Sequence, residues 1–339
     1  MLYFGAAGVI WALDYLHRIG ATAVAQDYAT TLAELTPENP VDLNLSEPNS
    51  FSYLMGDCGI QLVQWRVDPR AELANTIYQV VERNIDNPAR EFMWGAPGTM
   101  LAALFNLEFT GESRWKELYV RNVAHILSEM VKVSGLNCYT WSQDLYGQTS
   151  LYLGAVHGFA ANVFAIMKGR ALLDPETITL VAALAADTLA KTATVEGEFA
   201  NWPPDLRGGN WLVQHCHGAP GMITCLADLP AGADAEFDRL LEQGGELIWR
   251  AGPLTKGPNL CHGTAGNGYA FLKLCRRTAD AKWLERARAF AMHAITQSEQ
   301  HATKYGQRRY SLWTGDLGLA VYLWDCIHGE AKFPTMDVF

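Results

Sequence analysis

A Gly-x-x-Gly step followed by an apolar run recurs along the sequence, and this repeat constrains the fold more than any other feature. It occurs at Gly5/Gly8, Gly56/Gly59, Gly95/Gly98, Gly218/Gly221, Gly263/Gly266 and Gly315/Gly318. A seventh copy, at Gly158, has Ala161 in place of the second glycine. First glycines lie from 39 residues (Gly56 to Gly95) to 63 residues (Gly95 to Gly158) apart, spacings suited to stacked helical repeats. Each gap has room for a further amphipathic segment, as at 71–85, 115–131, 176–193, 235–249 and 281–297.

The two kinds of segment differ in composition. Runs after the steps, such as 99–106 and 265–275, are mostly apolar and predict largely buried helices. The intervening segments carry charge on one face, as Lys116, Glu117 and Arg121 do. Seven buried helices inside a ring of amphipathic ones satisfy both patterns. The predicted fold is therefore all-α, a seven-repeat α/α toroid formed by one domain over 1–339. No alternating run flanked by hairpin turns stands out. The chain begins on an inner helix, so the first outer helix is expected to be missing: either the toroid has an open seam or a preceding segment is absent.

The glycines have a local reason. The first lets the backbone turn into the helix, and the second lets neighbouring helices approach. In a toroid the helix N-termini converge on one end of the central cavity, where their free N–H groups favour anions, thiolates included. The steps at Gly5, Gly56, Gly95 and Gly315 have no adjacent histidine and read as packing alone.

Bulk properties exclude several functions. A net charge of −10 argues against nucleic-acid binding through a basic face. Residues 1–13 are apolar but lack basic residues and are too short to span a bilayer; they read as a core helix. No other run approaches a membrane span, so a soluble cytoplasmic protein without membrane insertion is expected. The seven cysteines are an odd, widely scattered set that reads as reduced thiols rather than a disulfide framework.

Two steps carry chemistry. His215-Cys216-His217 precedes Gly218, and Cys261-His262 precedes Gly263, 45 residues on from Cys216 to Cys261. Thiolate and imidazole are preferred zinc ligands. Adjacent residues inside a helix point about 100° apart, but just before a helix both can face one metal. Adjacent repeats are neighbours, so Cys216, Cys261 and His262 could form a three-ligand site with an open position. Counting His217 gives a closed Cys₂His₂ staple, and sequence symmetry favours neither. Packing alone leaves the duplication unexplained. Cys58 lies two residues after its first glycine, whereas Cys216 and Cys261 lie two before theirs, so it reads as a core thiol. Cys138, Cys225, Cys275 and Cys326 have no metal-ligand spacing and are expected to be buried.

These two motifs resemble the lanthionine synthetase C-like family, more its glutathione-adding branch than the lantibiotic cyclases, which usually have Tyr where this chain has His217. The segment from Tyr152 to Gly158, the ending around Tyr310 to Leu323, and Phe333-Pro334 are similar to the family as well. The resemblance implies one zinc ion held by Cys216, Cys261 and His262. It implies His157 and His217 as acid/base groups, with His217 not a ligand. Glu91, four residues before Gly95, falls where the family places a carboxylate. Lys256, five before Cys261, falls where the glutathione-adding branch places a catalytic lysine. Leu212 stands where the cyclases have an arginine, which weakens a peptide-cyclase reading.

Zinc with an open position would hold an incoming thiol as thiolate. The expected reaction is addition of glutathione or a peptide cysteine to dehydroalanine or dehydrobutyrine residues of a peptide or protein. His157 or His217 would protonate the α-carbon. Lys256 would stabilise the enolate or bind a carboxylate of the thiol, and Glu91 would orient a histidine or hold a substrate amine. Competing readings are a lantibiotic-type cyclase, a non-catalytic zinc module binding glutathione or a partner, and chemistry like that of protein prenyltransferases. For the last, the chain has no match to the zinc-binding Asp.

Overall fold

The computed structural model describes residues 1–34, 49–230 and 235–339. In chain order the helices are α1 (Ala6–Arg18), α2 (Ala29–Glu34), α3 (Asp57–Val67), α4 (Ala71–Arg83), α5 (Ala96–Thr110), α6 (Ser113–Ser128) and α7 (Phe159–Lys168). They continue as α8 (Pro175–Thr192), α9 (Ala219–Leu226), α10 (Ala235–Ala251), α11 (Thr264–Thr278), α12 (Ala281–Tyr305) and α13 (Asp316–His328). The odd-numbered helices form the inner ring. Each packs on the next, and α13 closes on α1. The toroid expected from the glycine repeat is therefore present.

Composition decides the layer. In α5 every residue from Ala96 to Asn106 is buried, as an inner helix requires. In α4 only Ala74, Ile77, Val80 and Val81 are buried, one apolar stripe on an outer helix. Among the described residues no outer helix lies between α13 and α1, and the inner ring closes there directly.

Every inner helix has the first glycine of its step as N-cap. Only Gly218, at φ +96°, needs glycine for its backbone conformation; the other six are extended. Space explains most of them instead. A Cβ on Gly158 would lie 2.0 Å from the Tyr152 carbonyl oxygen. At the second glycine the obstruction is double: a Cβ on Gly266 would lie 1.7 Å from the Leu260 carbonyl oxygen and 3.1 Å from the His215 Cβ of the neighbouring repeat.

A belt of backbone hydrogen bonds joins the residues two before the first glycine in six of the seven repeats. Cys216 N–H donates to the Cys261 carbonyl (3.2 Å), Cys261 to Trp313 (3.0 Å) and Trp313 to Tyr3 (3.0 Å). Tyr3 then donates to Leu54 (3.0 Å), and Leu54 to Met93 (3.4 Å). There the belt changes partner, because Met93 N–H donates to the Glu91 carboxylate at 3.1 Å.

Three short antiparallel hairpins were not foreseen. They are β1 (Met130–Lys132) with β2 (Tyr139–Trp141), β3 (Gln143–Leu145) with β4 (Gln148–Ser150), and β5 (Thr194–Glu196) with β6 (Phe199–Asn201). The first two fill the long gap between the third and fourth repeats. The β3–β4 turn has both Tyr146 (φ +53°) and Gly147 (φ +77°) left-handed, the geometry of a two-residue hairpin loop.

Residues 333–339 fill the axis of the ring. Phe333, Pro334, Thr335, Met336 and Phe339 are buried. Thr335 is β-branched yet left-handed at φ +61°, a conformation that costs about 1–3 kcal/mol and persists only where its surroundings impose it.

Candidate metal centre

Cys216, Cys261 and His262 converge before α9 and α11, with their ligand atoms all within 4.8 Å of one another. Cys261 Sγ and His262 Nε2 are 3.6 Å apart. A tetrahedral zinc with ordinary Zn–S and Zn–N lengths separates such a pair by about 3.6 Å. Two thiolates, one imidazole and a remaining open position also fit that ion's donor preference. The loop geometry follows from short contacts: Asn259 Oδ1 accepts from His262 N–H at 2.9 Å, and the belt fixes both cysteine backbones.

His217 does not join this cluster, and Gly218 explains why. At φ +96° Gly218 differs from Gly263, at φ −110°, so the two Cys-His strings leave their turns differently. Gln214 and His217 exchange both backbone hydrogen bonds at 3.1 Å, a tight turn with no counterpart at His262. The His217 ring instead faces Tyr152 (centroids 5.7 Å apart) and His157 (6.0 Å).

Glu91, wholly buried, reaches His157 Nδ1 at 2.8 Å. It also accepts from Met93 N–H (3.1 Å) and Trp94 N–H (2.6 Å). Arg90 enters this turn left-handed, at φ +44°, and Asn162 on α7 holds its carbonyl at 2.9 Å. Burial alone would lower the His157 pKa, but the Glu91 hydrogen bond and charge carry it above the ordinary value. Burial, reinforced by the charges of His157, His262 and Lys256, lowers that of His217. The two imidazoles are thus driven apart, one toward imidazolium and one toward the neutral ring.

The two thiols differ as well. A hydrogen bond from Cys261 and the neighbouring His262 pull the Cys216 pKa down, while burial and the adjoining Cys216 push that of Cys261 up. Gln214 was not singled out from sequence. Its Nε2 donates to Cys216 Sγ at 2.9 Å and its Oε1 accepts from Lys256 Nζ at 3.1 Å, so it bridges the lysine to the cluster. Tyr3 was missed too, although it occupies the cysteine slot of the first repeat; burial and contact with Cys261 push its phenol pKa up. Tyr146, whose hydroxyl accepts from Trp94 Nε1 at 3.1 Å, and Tyr152 flank His157; Tyr152 lies in the family-like segment without a role assigned from sequence, and no sequence pattern announces Tyr146.

An open cleft of about 830 Å³, lined in part by Phe4, Lys256, Asn259, Arg308 and Arg309, reaches the cluster through Asn259, which holds His262, and contains none of the three ligands in its own wall. Outside it, Cys58 is buried as expected, and burial raises its pKa. Cys138, Cys225 and Cys326 are buried as well, but Cys275, near the end of α11, is only half-buried, contrary to expectation. No helix among the described residues is long and apolar enough to cross a membrane.

Comparison with known proteins fits this geometry. The family model for lanthionine synthetase C-like protein matches residues 1–338. A Danio rerio protein named glutathione S-transferase LANCL1 is 27% identical over 309 residues, covering 85% of this chain and 74% of that protein. An Arabidopsis thaliana protein named LanC-like protein GCL1 is 35% identical over 133 residues, covering 38% of this chain and 30% of that protein. Among solved structures, nisin cyclase superposes with a TM-score of 0.70 at 15% identity, covering 96% of this chain and 87% of the other, a likeness of fold.

Proposed function

The chain belongs to the lanthionine synthetase C-like family, and on that premise we propose that it joins a thiol to dehydroalanine or dehydrobutyrine residues of a peptide or protein, with glutathione as the thiol and one zinc ion per chain. The observation that carries this reading is one rim holding a two-thiol, one-imidazole ligand set beside two histidines of opposite pKa shift. When bound, zinc supplies an open position at which a thiol persists as thiolate near neutral pH.

Cys216, Cys261 and His262 are the residues that hold the ion. His217, whose pKa burial lowers, takes the proton the thiol gives up. As the S–C bond forms, the C=C π pair moves toward the α-carbon and its carbonyl. His157, whose pKa the Glu91 hydrogen bond and charge raise, then delivers a proton to the α-carbon. Lys256 places its cation either at the developing enolate oxygen or at a carboxylate of the thiol. Glutathione has two carboxylates, and the cleft offers Lys256, Arg308 and Arg309. The name of the Danio rerio relative supports the same thiol. The seven cysteines, all free, suit a reducing cytoplasmic setting, and we read the chain as one domain.

The test is incubation of the metal-loaded protein with glutathione and a dehydroalanine peptide. Mass spectrometry should find the adduct, one glutathione heavier than the peptide. No excess over a metal-free control, with glutathione or any peptide thiol, would contradict the proposal.

A further inference from the structure

Residues 333–339 touch every repeat of the ring. Phe339 lies against Trp11 on α1 (centroids 5.9 Å apart), Tyr53 before α3 (6.4 Å) and Phe105 on α5 (5.4 Å). The Asp337 carbonyl accepts from Lys168 Nζ of α7 at 2.6 Å, and its carboxylate from Lys273 Nζ of α11 at 2.8 Å. The Phe333 ring stacks on His215 at 4.2 Å and 15°, and meets Trp313 at 5.3 Å.

Two of these contacts bear on the metal centre. His215 is the residue before Cys216. It is buried, its ring nitrogens have no hydrogen-bond partner among the described residues, and Phe333 is stacked on its face. Trp313 accepts the Cys261 N–H through its carbonyl, while its Nε1 donates to Thr335 Oγ1 at 3.1 Å. The Thr335 carbonyl in turn accepts from Tyr53 OH at 2.8 Å. The left-handed conformation of Thr335 aims both its polar groups at residues beside the belt. One ligand loop is therefore braced through Phe333 and the other through Thr335.

We propose that residues 333–339 are the positioning element of the metal centre: Phe333 and Thr335 set the separation of Cys216 and Cys261 without reaching the metal. This rests on the zinc reading above and extends it to a part of the chain that reading leaves idle. The physical basis is that supporting residues fix ligand orientation, and their loss typically weakens metal binding about 10–100-fold.

The experiment uses the full chain and three variants: Phe333→Leu, Thr335→Gly and Thr335→Ser. Each is checked for helical circular dichroism, then titrated with zinc against a chromophoric chelator and loaded with Co(II) for its ligand-field spectrum. Phe333→Leu and Thr335→Gly should keep the helical signal, hold zinc at least about ten-fold more weakly and shift the Co(II) bands. Thr335→Ser, which keeps the hydroxyl, should restore both readouts. If Phe333→Leu does not fold, Trp313→Phe, which removes the indole N–H that donates to Thr335 together with part of the ring, carries the same expectation. Folded variants with unchanged zinc affinity and Co(II) bands overturn this inference alone. A parent chain that takes up no metal overturns the zinc reading with it.

Discussion

His157 Nδ1 lies 2.8 Å from the Oε2 of Glu91, a carboxylate with no exposure to solvent. The same carboxylate takes the Met93 amide that would otherwise continue the belt of backbone hydrogen bonds. One side chain thus closes its own loop and raises the pKa of the histidine that stacks beside His217.

Replacing Glu91 by Gln should lower the His157 pKa, because burial is then opposed only by the Cys216 charge. The folded-state value is raised, so this pair's contribution to stability is fully present below the ordinary imidazole value of 6.5 and is lost as pH rises through the folded value. In the variant that pH-dependent contribution should disappear. Titration of the imidazole by NMR and urea unfolding at pH 5.5 and 8.5 read both effects. An unmoved His157 titration would show that Glu91 does not control it.

Gln214→Leu removes the bridge between Lys256 Nζ and Cys216 Sγ while leaving all three metal ligands. Zinc should still bind with the parent stoichiometry, about 10-fold more weakly in chelator competition. Thiol addition should fall through a higher KM for glutathione, since Lys256 loses its tether. Unchanged affinity and KM would reduce Gln214 to a packing residue.

Gly266→Ala places a Cβ against both the Leu260 carbonyl and His215. It should destabilise the fold by about 3 kcal/mol or more. Gly111→Ala is the control: it has open space around it and only a left-handed backbone, worth about 1–2 kcal/mol. Denaturant midpoints of the two variants give the comparison, and equal losses would refute the crowding argument.

Much of this was readable in the sequence because it is local. A glycine cap followed by an apolar run specifies an inner helix wherever it occurs, and the position of Cys216 and Cys261 relative to their glycines specifies a shared rim. The different fates of His217 and His262 were not readable from the motif. They turn on the sign of φ at Gly218, which identical Cys-His-Gly strings do not reveal. Gln214 sits inside the motif, but its meaning comes from Lys256, 42 residues away. Tyr146 is delivered by a hairpin whose strands are three residues each, too short for an alternating pattern. Phe333 is recognisable as part of a family-like ending, yet its contact with His215 exists only once the ring has closed.

Zinc stoichiometry, measured on the parent chain and on Cys216→Ala, Cys261→Ala and His217→Ala, decides whether the centre is an open three-ligand site. An open site should give one zinc per parent chain, loss of that zinc in both cysteine variants, and full retention in His217→Ala with loss of turnover. A parent chain without zinc, or a His217→Ala variant that loses it as the cysteine variants do, would contradict an open three-ligand centre.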